Sequence, residues 1–195
     1  MKAIICAGGT GGHIYPALAI YNKIKEEEPF SEILYIGTTN RMESELIPKL
    51  GIKYVGIEMQ GIDRKNLLKN VSVFIKYKKA IRKAKKIIKD FQPDIVIGAG
   101  GYITAPVMIA AHKLKVKILI HEQNSIPGVS NKLISKYADK ICVSLPSTVE
   151  YFDKNKVVYT GNPRGEEIIA AKEANKSDFG LKENKKLVVI VMGSL

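Results

Sequence analysis

The chain has little cysteine: two residues, Cys6 and Cys142, in 195. Both stand in apolar, strand-like runs, and neither has a partner at metal-ligand spacing. That excludes a disulfide-stapled scaffold and a zinc module, and it reads as two reduced core thiols in a cytosolic protein with no metal site. Long hydrophobic runs are also missing. The first apolar run breaks at Gly8, too soon for a signal peptide, and no run approaches the roughly 20 apolar residues that span a bilayer. The expectation is a soluble, at most peripheral, protein. There is no internal repeat and no low-complexity linker. What is present is 46% hydrophobic residues, enough to bury a proper core in one large domain, or in one domain plus a fragment of another.

Acid is absent where cations are densest. Residues 64 to 89 carry eleven Lys and Arg and no Asp or Glu, whereas the remaining 20 cations face 19 acids. Nearly all of the net charge of +12 therefore belongs to one segment. Within it and just past its end Tyr77, Ala80, Ile81, Ala84, Ile87, Ile88 and Phe91 recur at helical spacing, which predicts an amphipathic helix with Lys78, Lys79, Arg82 and Lys83 on its outer face. An apolar stretch containing Leu67, Leu68, Phe74 and Ile75 precedes and enters it. Three readings compete. The segment is a solvated lysine-rich face, a docking site for an anionic membrane surface, or a nucleic-acid site. The last is disfavoured, because base recognition calls for interleaved aromatics or arginines and Tyr77 belongs to the buried stripe.

The opening residues, Met1 to Pro16, read as strand, glycine turn and helix. An apolar run stops at Gly8-Gly9-Thr10-Gly11-Gly12, and a helical pattern starts behind His13. Such a turn lets backbone approach a ligand, and the free N–H groups of the helix's first turn favour an anion or polar group. Two common nucleotide motifs fail. A P-loop needs Lys-Ser/Thr after its last glycine, where this chain has His13, and the dinucleotide fingerprint needs a third small residue where this chain has Ile14. The second strand ends in Gly37-Thr38-Thr39 with no acid to hold a ribose. A plain tight turn with His13 capping the helix stays open beside the ligand-binding reading.

Strand-like runs near 2–7, 32–37, 52–57, 94–98, 117–121, 140–144 and 156–160 alternate with helical patterns near 14–27, 41–50, 73–90, 103–114, 128–138 and 147–152. This specifies an α/β fold, a doubly wound parallel sheet of Rossmann-like type, with its chemistry at the carboxyl ends of the strands. The distinctive residues fall at those ends: Gly100-Gly101-Tyr102 after the fourth strand, His121-Glu122-Gln123-Asn124 after the fifth, Gly161-Asn162-Pro163-Arg164 after the seventh. Residues 187 to 192 read as one more strand, followed by Gly193-Ser194. The expected organisation is a first domain over 1–163, then a linker and the first strand of a second domain over 164–195.

Taken together, Gly8 to His13, Arg41-Met42-Glu43, Gly100-Gly101-Tyr102, His121 to Asn124 and Gly161-Asn162-Pro163 resemble the N-terminal domain of the MurG family. These are two-domain peptidoglycan glycosyltransferases of GT-B type that add N-acetylglucosamine to lipid I to make lipid II. The resemblance runs through the whole chain in order. It implies inverting transfer from UDP-N-acetylglucosamine to the muramoyl C4 hydroxyl of lipid I, at the cytoplasmic face of the membrane, with no cofactor and no nucleic-acid partner. His13 is then the candidate base. Thr10, Gly11 and Gly12 would line the sugar-diphosphate cleft, Asn124 would bond the transferred sugar, and Tyr102 and Glu122 would shape the acceptor side. Ser194 would touch the diphosphate. The chain has no Asp-x-Asp pair for a metal-bound diphosphate, so helix N-termini and a basic side chain must stabilise it.

Two departures from the family pattern stand out. Arg164 comes directly after Pro163, one place earlier than the family's arginine, and a single glycine precedes Ser194 where the family usually has two. The alternatives are a related lipid glycosyltransferase, a UDP-N-acetylglucosamine 2-epimerase, or a non-catalytic membrane-recruiting subunit.

Overall fold

The computed structural model describes residues 1–59, 70–182 and 184–190, with the side chains of 70–72 left aside. Seven parallel strands form one sheet: β1 Lys2–Cys6, β2 Glu32–Thr38, β3 Tyr54–Ile57, β4 Ile95–Gly98, β5 Lys117–Glu122, β6 Lys140–Val143 and β7 Val157–Tyr159, in the order β3-β2-β1-β4-β5-β6-β7. Among the described residues six α-helices accompany them: α1 Gly11–Glu27, α2 Met42–Lys49, α3 Asn70–Phe91, α4 Thr104–Lys113, α5 Val129–Ile134 and α6 Arg164–Ile169. The doubly wound expectation holds.

Alternation along each strand produces the two layers. Ala3, Ile5 and Ala7 face one core with Ile14, Ala17, Leu18 and Ile47 of α1 and α2. Ile4 and Cys6 face the other, with Ala80, Ala84 and Ile88 of α3 and Val107 and Met108 of α4. Strands buried on both faces must be apolar throughout, which is how β1 and β2 read in the sequence. Cys6 is buried, Cys142 is half-buried, and both are free thiols. Burial pushes the proton affinity of each upward.

Three sequence expectations change in detail. The helix expected over 128–138 shortens to α5 and ends in a 3-10 turn, Ser135–Tyr137, and the helix expected near 147–152 is entirely 3-10, Pro146–Tyr151. Tighter turns of this kind are common in short connectors. The strand expected over 187–192 is not formed at residues 187–190, which are irregular and exposed, and the rest of it lies outside the described residues. An apolar run becomes a strand only when a neighbour takes its backbone hydrogen bonds, and among the described residues none does.

The sheet order reverses between β1 and β4. Chains leaving those adjacent strands turn toward opposite faces, which opens a crevice at their carboxyl ends. Both glycine turns of the sequence lie there.

Candidate active site

The first turn joins β1 to α1. Gly9 takes a positive φ of 99°, Thr10 is extended, and α1 begins at Gly11. As the first two residues of a helix, Gly11 and Gly12 have N–H groups with no partner inside it. The second turn, after β4, holds Gly100 at φ 102° and Gly101 at φ 90°. The two turns interlock through backbone. Gly8 N–H donates to the Gly100 carbonyl at 3.4 Å, and a Cβ on Gly101 would lie 2.2 Å from the Gly8 carbonyl oxygen. Thr104 Oγ1 closes the second turn by donating to the same Gly100 carbonyl at 2.7 Å.

His13 sits at this junction. Its ring lies over Gly100, where a Cβ would come within 2.3 Å of the imidazole Cδ2, and its Nδ1 is 3.3 Å from Thr10 Oγ1. No side chain caps the start of α1, so the ring is seated between the turns rather than spent on a helix end. Burial lowers the imidazole pKa below the ordinary histidine value, and Glu122, the Gly8 backbone and Glu43 pull part of the way back. His13 is consequently neutral near pH 7, with a lone pair available to accept a proton.

Glu122, at the end of β5, organises the opposite wall. It is buried, and its Oε1 accepts from the Asn124 backbone N–H at 3.0 Å and the Asn124 side-chain amide at 2.8 Å. Its Oε2 accepts from Gly128 N–H at 2.9 Å and Asn131 Nδ2 at 3.0 Å. Four donors on one carboxylate fix the loop from Asn124 to Asn131 and leave Asn124 exposed in a set orientation. His121 is buried behind it, with Nε2 within 3.3 Å of Ser144 Oγ and 3.4 Å of the Gly161 carbonyl, and desolvation lowers its pKa.

Tyr102 and Arg164 also reach the crevice. The Tyr102 ring would touch a Cβ on Gly9 at 3.8 Å, and its hydroxyl accepts from Arg41 Nε at 3.3 Å. Arg41 lies in a cleft of about 600 Å³, lined also by Gly9, Thr39, Asn40, Met42 and Lys49. Arg164 stacks its guanidinium over the Tyr15 ring at 5.0 Å and pairs with Glu167 at 3.0 Å. Tyr15 in turn lies against Gly11, where a Cβ would be 3.1 Å from the ring. The arginine that departs from the family spacing is thereby delivered to the start of α1.

Thr10, Gly11, Gly12, His13 and Tyr102 thus meet at the two interlocked turns, Arg164 approaches Gly11 by way of Tyr15, and Glu122 is buried at the end of β5 where it holds Asn124, while Ser194 lies outside the described residues. Sequence reasoning overlooked Tyr15, Asn131 and the part played by Glu43. Asn131 and Tyr15 carry no motif of their own, and only packing reveals them. Among the described residues no group of three or more His, Cys, Asp and Glu gathers as a metal site.

The basic segment lies elsewhere, on α3. Lys78, Lys79, Arg82 and Lys83 are exposed while Ala80, Ala84 and Ile88 are buried, as the periodicity predicts. Phe74 and Ile75 are 59% and 50% exposed, and Lys78 Nζ stands 4.6 Å over the Phe74 ring. Lys83 donates to the Gly56 carbonyl at 2.7 Å. Leu67 and Leu68 lie outside the described residues. No described helix is long and apolar enough to cross a membrane.

A strand-turn-helix crevice of this kind at the reversal of a parallel sheet is the ligand-binding edge of a doubly wound α/β fold. Residues 3–143 match the glycosyltransferase family 28 N-terminal domain, and the chain belongs to that family. All 195 residues are 45% identical to the UDP-N-acetylglucosamine--N-acetylmuramyl-(pentapeptide) pyrophosphoryl-undecaprenol N-acetylglucosamine transferase of Halalkalibacterium halodurans, of which they cover 54%. The crystal structure of Acinetobacter baumannii MurG is similar over 95% of this chain and 50% of that one, with a TM-score of 0.73 and 29% identity. The UDP-GlcNAc 2-epimerase from Neisseria meningitidis shares the fold over 83% of this chain and 46% of its own, with a TM-score of 0.61 at 17% identity. The chain spans about half the length of the curated relatives it matches.

Proposed function

We propose that this chain is the acceptor-side and membrane-side domain of an inverting glycosyltransferase. The reaction is transfer of N-acetylglucosamine from UDP-N-acetylglucosamine to the muramoyl C4 hydroxyl of lipid I. The observation that carries the reading is the His13 imidazole, kept neutral by burial, seated on Gly100 and within the electrostatic reach of Glu122, which in turn holds Asn124. A base in that position takes the hydroxyl proton as the oxygen attacks the anomeric carbon from the face opposite the departing UDP. Developing negative charge on the diphosphate is met by the free N–H groups of Gly11 and Gly12, the N-terminal dipole of α1 and the Arg164 guanidinium. Thr10 lines the same cleft. Asn124, oriented by Glu122, hydrogen-bonds the transferred sugar, and Tyr102 shapes the acceptor side. Residues 1–163 form the first domain, and 164–195, with Ser194 near the diphosphate, lead into a second, nucleotide-binding one.

The protein works at the cytoplasmic face of the cell membrane. Support comes from α3, where exposed Phe74 and Ile75 stand beside exposed Lys78, Lys79, Arg82 and Lys83, the arrangement that suits an anionic headgroup layer. Leu67 and Leu68 belong to the same apolar stretch of the sequence and are proposed to act with it. The reading is tested in the full-length protein by assaying lipid II formation from lipid I and UDP-N-acetylglucosamine, alongside epimerisation of the free sugar nucleotide. Transfer without epimerisation is expected, and His13→Ala is expected to lower kcat about 100-fold or more with a smaller change in donor KM. Near-normal turnover in that variant removes His13 from the chemistry.

A further inference from the structure

The triplet Arg41-Met42-Glu43 opens α2, and its acidic side chain is turned inward, beneath the first glycine turn. Glu43 is fully buried. Its Oε1 accepts from the Thr38 backbone N–H at 3.0 Å and from Thr38 Oγ1 at 2.7 Å, and its Oε2 accepts from the Gly9 N–H at 3.0 Å. The side chain crosses from α2 to the first glycine turn through a gap that only glycines leave. A Cβ on Gly37 would lie 2.6 Å from Glu43 Cγ, and one on Gly8 would lie 2.3 Å from Glu43 Oε1. Gly37, a glycine inside a strand, thereby acquires a reason.

A buried carboxylate is costly unless its oxygens are satisfied, and here three donors from two segments meet it. The consequence is that the Gly9 N–H is spent on the protein's own anion. The part of the turn left for a ligand is therefore Thr10 to Gly12. Because Gly9 is at positive φ and leads directly into the extended Thr10, the bond at its N–H sets the direction in which Thr10 to His13 leave the sheet. Two residues earlier, Arg41 reaches the second turn through Tyr102. One short triplet is thus fastened to both glycine turns that enclose His13.

We infer that Glu43 is a positioning residue: a built-in anion that locks the first glycine turn, so that Thr10, Gly11, Gly12 and His13 are presented to the crevice in one fixed arrangement. The inference deepens the proposed glycosyl transfer, and only its kinetic arm rests on that reading. The test uses Glu43→Gln in the full-length protein. Glutamine keeps the size but cannot satisfy all three donors, because its amide nitrogen faces either Gly9 N–H or the two Thr38 donors.

Hydrogen exchange measured by mass spectrometry is expected to quicken by about 10-fold in peptides covering residues 8–13, with β5 to β7 unchanged. In the transfer assay kcat is expected to fall by about 10-fold or more, while donor KM moves by less than about threefold. A folded variant whose turn exchanges at the wild-type rate overturns the inference, as does one with a loosened turn and wild-type kcat. If the wild-type protein makes no lipid II, the functional reading fails and the exchange arm alone decides the positioning role. If Glu43→Gln does not fold, Thr38→Val removes the hydroxyl donor only. A smaller quickening, about threefold, is then expected at residues 8–13, and unchanged exchange there refutes the clamp.

Discussion

Gly100→Ala is the substitution for which the structure sets the size of the effect most directly. The added methyl would sit 2.3 Å from Cδ2 of His13, whereas ordinary contact begins near 3.4 Å, so the imidazole must retreat by about 1 Å. Gly100 also has φ 102°, where an alanine is strained by about 1–3 kcal/mol, a cost that appears in the folded state whether or not the ring moves. Misplacing a reacting group by that distance is worth about 100-fold in rate. The expectation is a folded protein, less stable in urea by the strain term, with kcat lowered about 100-fold and substrate KM values nearly unchanged. Lipid II formation by the full-length variant, normalised to the folded fraction from circular dichroism, is the assay. A Gly100→Ala protein with wild-type kcat would show that the seat of His13 on the second turn has no bearing on turnover, and the reasoning would fail.

Asn124→Ala should raise KM for UDP-N-acetylglucosamine by about 10-fold or more while binding of UDP alone stays within about twofold, since UDP lacks the sugar that the amide contacts; equal losses for both ligands would contradict the assignment. The protein should co-sediment with vesicles rich in anionic lipid, less so as salt is raised, because exposed charges are screened over about 8 Å at physiological ionic strength. Changing Lys78, Lys79, Arg82 and Lys83 to Glu should abolish that binding, and indifference of the wild type to anionic vesicles at low salt would leave α3 an ordinary solvated face. His13 and His121 both have pKa values lowered by burial in the fold. Unfolding restores the ordinary value near 6.5, so the unfolded chain takes up protons first as pH drops. Stability should thus be full above about pH 6.5 and decline below it, and His121→Gln should flatten the decline in urea titrations at pH 7.5 and 5.5. An equally steep decline in that variant would remove His121 from the effect.

Much of this protein is legible without coordinates, and the reasons are local. Doubly buried strands must be apolar along their length, and helices must show their 3.6-residue stripe, so the alternation from Lys2 to Tyr159 specified the parallel sheet, and the charge pattern of 64–89 specified the outward face of α3. The glycine turns announced themselves because only glycine serves at Gly9, Gly100 and Gly101. The strand expected over 187–192 marks the limit of that logic, since an apolar run states a preference and its partner must supply the hydrogen bonds. What the tertiary structure alone decided is convergence. Nothing in the spacing of Gly8, Gly37 and Glu43 says that a carboxylate from α2 would thread between glycines to hold Gly9. Nor does it say that Tyr15 would carry Arg164 to the start of α1, or that one Glu122 would bind four donors. The first two of those contacts join residues tens to more than a hundred positions apart, and the third closes a short loop behind β5; all depend on a sheet order that gathers strand ends at one edge, where buried polar groups must find each other or remain unpaired.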